Sequence, residues 1–173
     1  MLIMAFIVCL SVTRGQTATD SSARARIKFL AGNYATVSSM PPMGSMKKGV
    51  EGKGTSVVSW TLDSMFLSIE EENANALFGK IKEHGMLGFD SQIHQYVLSM
   101  FNNFGDHPVY HGNFAGDTLV LQTTIPAPKG SFDQQIRWYK DGDTVKMKVL
   151  NDTGKGFHPI LEQTATPISQ PAK

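Results

Sequence analysis

What most constrains the fold of this chain is the way glycine and aspartate corners cut it into short alternating runs. The clearest case is Asp141-Gly142, which precedes Val145, Met147 and Val149 in alternation with Lys146 and Lys148. Such alternation marks a strand with one apolar and one wet face, and Asp-Gly between two such runs predicts a hairpin. The pattern recurs at Ala115-Gly116-Asp117, and "GFD" and "FGD" bracket the longest run, "QIHQYVLSMFNN". Upstream, "TSVVSWTL" puts Val58, Trp60 and Leu62 on one face. "SMFLSIEEE" does the same with Met65, Leu67 and Ile69 and then ends in three acids. "GFHPILEQTATP" is the last strand, and no long helical period appears after the first residues. An antiparallel meander of this size removes its unpaired edges most simply by closing. The expected fold is therefore all-β: an antiparallel up-and-down β-barrel of about 8–10 strands with a short N-terminal helix. An open sandwich ranks behind it, and a helix-grip fold, a curved sheet over a long helix, is the fold alternative, opposed by the absence of a long amphipathic C-terminal helix.

The chain begins "MLIMAFIVCLSV", an apolar run too short to cross a bilayer at ~20 residues. Small and polar residues follow, with cleavage expected after Gly15 or Ala18, so residues 1–18 read as a secretory signal peptide. The n-region carries no lysine or arginine. This places the mature protein outside the cytoplasm, secreted or periplasmic, with no transmembrane segment. Residues 19–26 read as a linker, 27–167 as the barrel and 168–173 as a tail. "DSSARARIKFLAGNY" opens as a short helix capped by Asp20 or Ser21, and Leu30-Ala31-Gly32 turns the chain into its first strand. Met40 to Gly54, rich in Pro, Gly and Lys, reads as a mobile loop, a candidate lid over a barrel mouth.

Composition narrows the function. The 173 residues carry a net charge of +1, so the basic excess that drives phosphate-backbone binding is missing and no nucleic-acid partner is expected. Cys9 is the single cysteine and lies in the signal, which leaves a mature chain without disulfides or thiolate chemistry. No nucleophile elbow, P-loop or zinc-protease motif is present, and no catalytic residue is assigned.

"MLGFDSQIHQYVLSMFNNFGD" resembles the L-G-Y-D…Y-V…W-x-D-x-x-G core of the domain-of-unknown-function family 1579. "FLAGNYATV" resembles that family's opening L-x-G-x-W. "GKGTSVVSWTLDSMFLSIEEE" and "YHGNFAGDTLVLQ" resemble two of its strand pairs, so the likeness covers about residues 27–166. Tyr34, Phe89 and Phe101 stand where the pattern has Trp, Tyr and Trp, and Asn102 or Asn103 replaces the acid near that second Trp. The family is similar to the calycin group of lipocalins, fatty-acid-binding proteins and nitrobindins. The resemblance implies a barrel able to enclose a small apolar ligand. Because nitrobindin-like barrels hold haem through a histidine near the C-terminus, it also makes His158 the candidate haem ligand.

The expected function is thus binding of a small, mostly apolar ligand, with Tyr96, Phe101, Tyr110, Trp138 and His94 as candidate contacts. The alternatives are a haem-binding or enzymatic barrel, and an envelope protein that acts by surface contact without a ligand. Cofactors are otherwise expected to be none. His107 and His111 would lie ~13 Å apart on a strand, too far to share a metal. Glu70-Glu71-Glu72 is expected at a solvated hairpin tip. Asp90, Asp106, Asp117 and Asp141 are read as turn-formers.

Overall fold

The computed structural model describes residues 13–44, 46–128 and 130–169. The apolar run over residues 1–12 with Cys9, and tail residues 170–173, lie outside the described residues. Helix α1 (Thr13–Ile27) passes through a 3₁₀ turn (Lys28–Leu30) into ten strands. These are β1 (Gly32–Met40), β2 (Val50–Thr61), β3 (Phe66–Asn75), β4 (Gly79–Asp90), β5 (Gln95–Asn102), β6 (Val109–Ala115), β7 (Thr118–Ala127), β8 (Gly130–Asp141), β9 (Thr144–Asp152) and β10 (Phe157–Pro167).

Each strand pairs antiparallel with the next, and β1 pairs with β10 to close the barrel. The closing seam runs from Tyr34↔Pro167 to Ser39↔Glu162, and the Ile168 amide continues it by donating to the Asn33 carbonyl at 2.9 Å. The narrowest seam is β5–β6, paired only from Tyr96↔Gly112 to Ser99↔Val109. Period-two alternation sends every second residue of a strand inward, and residues paired across strands share a face. On β9, Val145, Met147 and Val149 face the interior, while Lys146 and Lys148 bind Thr164 and Glu162 outside.

One end of the barrel is plugged. Ala23, Ile27 and Leu30 pack with Leu67, Leu87, Leu98, Leu119 and Leu121 in a single apolar cluster. The plug is pinned by polar contacts. The Tyr96 hydroxyl donates to the Ala23 carbonyl at 2.8 Å, Arg26 donates to the Gly116 carbonyl at 2.9 Å, and its guanidinium lies 3.9 Å above the Phe114 ring. The aromatic rings of Phe89 and Phe114 meet Tyr96 edge-on at 5.2 and 5.4 Å. The opposite end is framed by the β1–β2, β3–β4, β5–β6, β7–β8 and β9–β10 connections.

Several expectations about local structure are corrected. α1 begins before Asp20 and Ser21, so neither caps it, and residues 19–26 are helix rather than linker. The loop expected from Met40 to Gly54 is confined to residues 41–49. Gly52 and Gly54 belong to β2, where a Cβ would collide with Asn73 Oδ1 and Ser38 Oγ at Gly52 and with the Glu72 carbonyl at Gly54. These glycines admit close strand approach inside a sheet. They do not mark a loop. Leu62 and Met65 lie in the β2–β3 turn and are exposed, unlike Val58 and Leu67.

Gly32 and Tyr34 lock the start of the barrel. The Tyr34 ring folds back over Gly32, where a Cβ would sit 2.7 Å from its hydroxyl. That hydroxyl reaches the carbonyls of Leu30 and Ala31, both at 3.1 Å. Substituting Gly32→Ala should cost about 1–3 kcal/mol through overpacking, and Tyr34→Phe about 1 kcal/mol through the lost hydrogen bond. Urea unfolding of the two variants and their double should give a non-additive pair, because the groups touch.

Candidate functional site

Ten strands enclose more space than their side chains fill. Above the plug lies a cavity of about 900 Å³ that opens at the unplugged end. Its floor is apolar and includes Leu30, Val58, Ile136, Trp138 and Val145. Its middle is polar. Ser38, Ser56, Glu71, Asn73, Glu83, Tyr110, Gln134 and Gln163 all line it.

Strand register builds the centre of that polar band. Ser56 on β2 faces Glu71 on β3, Glu71 faces Glu83 on β4, and Glu83 faces Asn102 on β5. Directly opposed residues of antiparallel strands lie about 5 Å apart at Cβ, so two carboxyls are held side by side within the barrel. Gln163 reaches across from β10 and donates from Nε2 to Glu71 Oε1. Asn73 donates to Ser38 Oγ at 3.1 Å. Nearer the mouth, the Tyr110 hydroxyl donates to Gln134 Oε1 at 2.5 Å, and Gln134 donates to Asn151 Oδ1 at 2.9 Å.

Burial dominates the electrostatics here. It pushes the Glu71 carboxyl up to about 7, the Glu83 charge adds to the rise, and the Gln163 hydrogen bond partly offsets it. Burial also raises Glu83. The Tyr110 phenol is pushed up to about 12, by burial first and then by the charges of Glu83 and Asp106. The glutamates flanking Glu71 face outward and behave differently. Glu70 meets His84 Nδ1 at 2.6 Å, and Glu72 pairs with Lys80 at 2.5 Å. The hydrogen bond and charge of Lys80 hold Glu72 below the usual carboxylate range.

The acidic run is therefore no hairpin tip. It continues β3, and its central member points inward. The signal was present in the sequence. Leu67, Ile69, Glu71 and Asn73 share one face by simple alternation, as do Leu87, Gly85 and Glu83. What the sequence could not supply was the β3–β4 register that sets the two acids against each other.

The predicted ligand contacts fall in different places. Tyr110 and Trp138 line the cavity. Phe101 stands on the outer face of β5 opposite His84, half exposed, and reaches only the cavity's rim. Tyr96 lies beneath the floor, its hydroxyl engaged by Ala23. His94 is not on a strand face. It occupies the β4–β5 turn at the plugged end, exposed and with φ 54°, and its carbonyl accepts from Asn113. His158 is exposed near the start of β10, opposite Asn151 and outside the cavity lining. These residues do not fit a haem held inside the barrel with His158 as its axial ligand. His107 is at the mouth and His111 is exposed on β6. Among the described residues no group of three or more His, Cys, Asp or Glu is placed to hold a metal ion.

Glu71 generates a prediction about stability. A carboxyl whose folded value is raised binds its proton more tightly folded than unfolded. The folded state therefore loses stability as pH rises from the ordinary glutamate range through about 7. Glu71→Gln lacks that loss. Its thermal midpoint should exceed the parent's at about pH 8, and the gap should close at about pH 4, where Glu71 is protonated in both states. Scanning calorimetry at the two pH values checks this.

No curated protein matches the chain significantly. The profile of the family described as protein of unknown function (DUF1579) matches residues 19–160, from the plugging helix into β10. The chain belongs to that family.

Proposed function

We propose that this protein is a binding module for a small amphipathic ligand held inside the barrel. The observation that carries the reading is the cavity of about 900 Å³, open at one end and closed at the other by the α1 plug. Its size lies within the usual range for small-molecule sites, as does the combination of an apolar floor with a few convergent polar groups. A barrel that acted only through surface contacts would have no need to hold this space open, since filling it with leucine or phenylalanine would add stability. Tyr110 and Trp138 are the aromatic contacts in this reading, and Phe101 borders the entrance.

The protein acts outside the cytoplasm in this reading, after loss of the N-terminal apolar segment. Cleavage after either Gly15 or Ala18 would leave Ala23, Ile27 and Leu30, so the plug is compatible with processing. N-terminal sequencing of the protein recovered outside the cytoplasm should begin at Gln16 or Thr19. Recovery only in the cytoplasm with Met1 intact would remove this part of the reading.

A neutral fluorescent probe, N-phenyl-1-naphthylamine, tests the binding function. It should brighten on mixing with the protein and saturate at one site. Val149→Trp and Val58→Trp, each filling the cavity from a different wall, should weaken binding by about tenfold or more with an unchanged far-ultraviolet circular dichroism spectrum. Parent protein that fails to bind the probe, or folded variants that bind it equally well, would overturn the proposal.

A further inference from the structure

The cavity is polar in a one-sided way. Glu71 and Glu83 oppose each other within it, while no lysine or arginine is among its described lining residues. The nearby cationic side chains of Lys80 and Lys82 point outward to Glu72. A ligand that carries a carboxylate, such as a fatty acid, would bring a third acid to a pair already raised by burial, with no lysine or arginine in the described lining to receive it.

A second feature points to an occupant. Ser56 lines the cavity beside Glu71, is only 6 % exposed, and its hydroxyl has no hydrogen-bond partner among the described residues. The Glu83 carboxyl likewise accepts no hydrogen bond from them. Buried polar groups are ordinarily satisfied. Here a hydroxyl and a carboxylate stay open on either side of Glu71, in one register row. A tetrahedral ammonium has three donors and one positive charge, which suits two carboxylates and a hydroxyl in a row.

We propose that Ser56, Glu71 and Glu83 form the polar recognition site of the cavity and take the protonated amine of a ligand whose body is apolar. The ammonium sits against the Glu71 carboxyl, with Ser56 on one side of it and Glu83 on the other. Ser56 accepts one of its hydrogen bonds, Gln163 holds Glu71 in place from across the barrel, and the hydrocarbon body lies along the apolar floor towards Trp138. This rests on the reading of the barrel as a ligand-binding module and adds the ligand's chemical class to it.

Three ligands of equal length separate head group from tail: dodecylamine, dodecanol and dodecanoate, each displacing N-phenyl-1-naphthylamine at about pH 8, where the amine is cationic and the acid anionic. Dodecylamine should bind more tightly than dodecanol by about tenfold, and dodecanoate should bind most weakly. Glu71→Gln/Glu83→Gln should bring dodecylamine to within about twofold of dodecanol on the same variant. Single Glu83→Gln and Ser56→Ala proteins should lie between. The inference is overturned if dodecanoate matches the amine, or if the double substitution leaves the amine preference intact while dodecanol still binds; the binding-module reading survives either result. If the parent binds neither the probe nor any of the three, both readings fall together.

Discussion

Everything in this molecule depends on the pairing of β1 with β10. An antiparallel sheet of ten strands that stayed open would present two rows of unpaired backbone groups, each a template for association. The six paired positions from Tyr34↔Pro167 to Ser39↔Glu162 remove both edges at once. Closure also fixes an inside. Once every strand has two neighbours, alternation is no longer a local preference but a partition of the whole chain into lining and surface. The lock at Gly32 and Tyr34 stands at the beginning of this seam and joins it to the plug, because the Tyr34 hydroxyl reaches back to the carbonyls that end the 3₁₀ turn. Seam, floor and plug are one construction.

That partition explains what could be read from the sequence. The Asp141-Gly142 corner and the Val145, Met147, Val149 alternation gave a correct hairpin, since turn chemistry and period two are local properties of the chain. The barrel class followed from the number and spacing of such pieces. The site was harder. Tyr96 and Phe101 are five residues apart on one strand, so alternation alone puts them on opposite faces. His94 is set apart for another reason: β5 begins only at Gln95, after a turn whose Asp90 carboxylate accepts the Gln92 amide at 2.8 Å. Gly52 and Gly54 misled because glycine marks loops and close packing alike, and only the facing Asn73, Ser38 and Glu72 distinguish the two. The acidic pair needed register, which arises from tertiary pairing and leaves no mark within either strand.

The interior also shows a division of labour between stability and chemistry. The plugged half is built as an ordinary core: Leu67, Leu87, Leu98, Leu119 and Leu121 are fully buried and meet Ile27 of the helix. The open half is costly. It holds two carboxyls in a buried setting and encloses the cavity volume, whereas the side-chain atoms that are buried without a partner among the described residues, Thr36 Oγ1 and Asp20 Oδ1, lie outside the cavity lining. The buried carboxyls and the cavity each lower stability relative to a hydrocarbon filling. Proteins tolerate local violations of packing and polar satisfaction chiefly where function requires them.

The position of the violations matters more than their number. Glu70, Glu71 and Glu72 are chemically identical and adjacent, yet the outer two bind His84 and Lys80 in solvent while the middle one is aimed into the cavity. A glutamate could be replaced at that inward position by any of the apolar residues that fill the same face at Leu67 and Ile69. The replacement would remove the burial penalty and would leave the outer ion pairs intact. Its partner Glu83 lies directly opposite it in the β3–β4 pairing, and the Glu83 charge adds to the rise that burial imposes on Glu71. Two independent strands thus contribute the same costly group to the same point, and the hydrogen bond from Gln163 on a third, distant strand holds one of them in place. The burial cost is thus set by two strands at one spot, and the third, distant strand partly offsets it for Glu71 alone, so the protein concentrates its unfavourable electrostatics there instead of spreading them through the core.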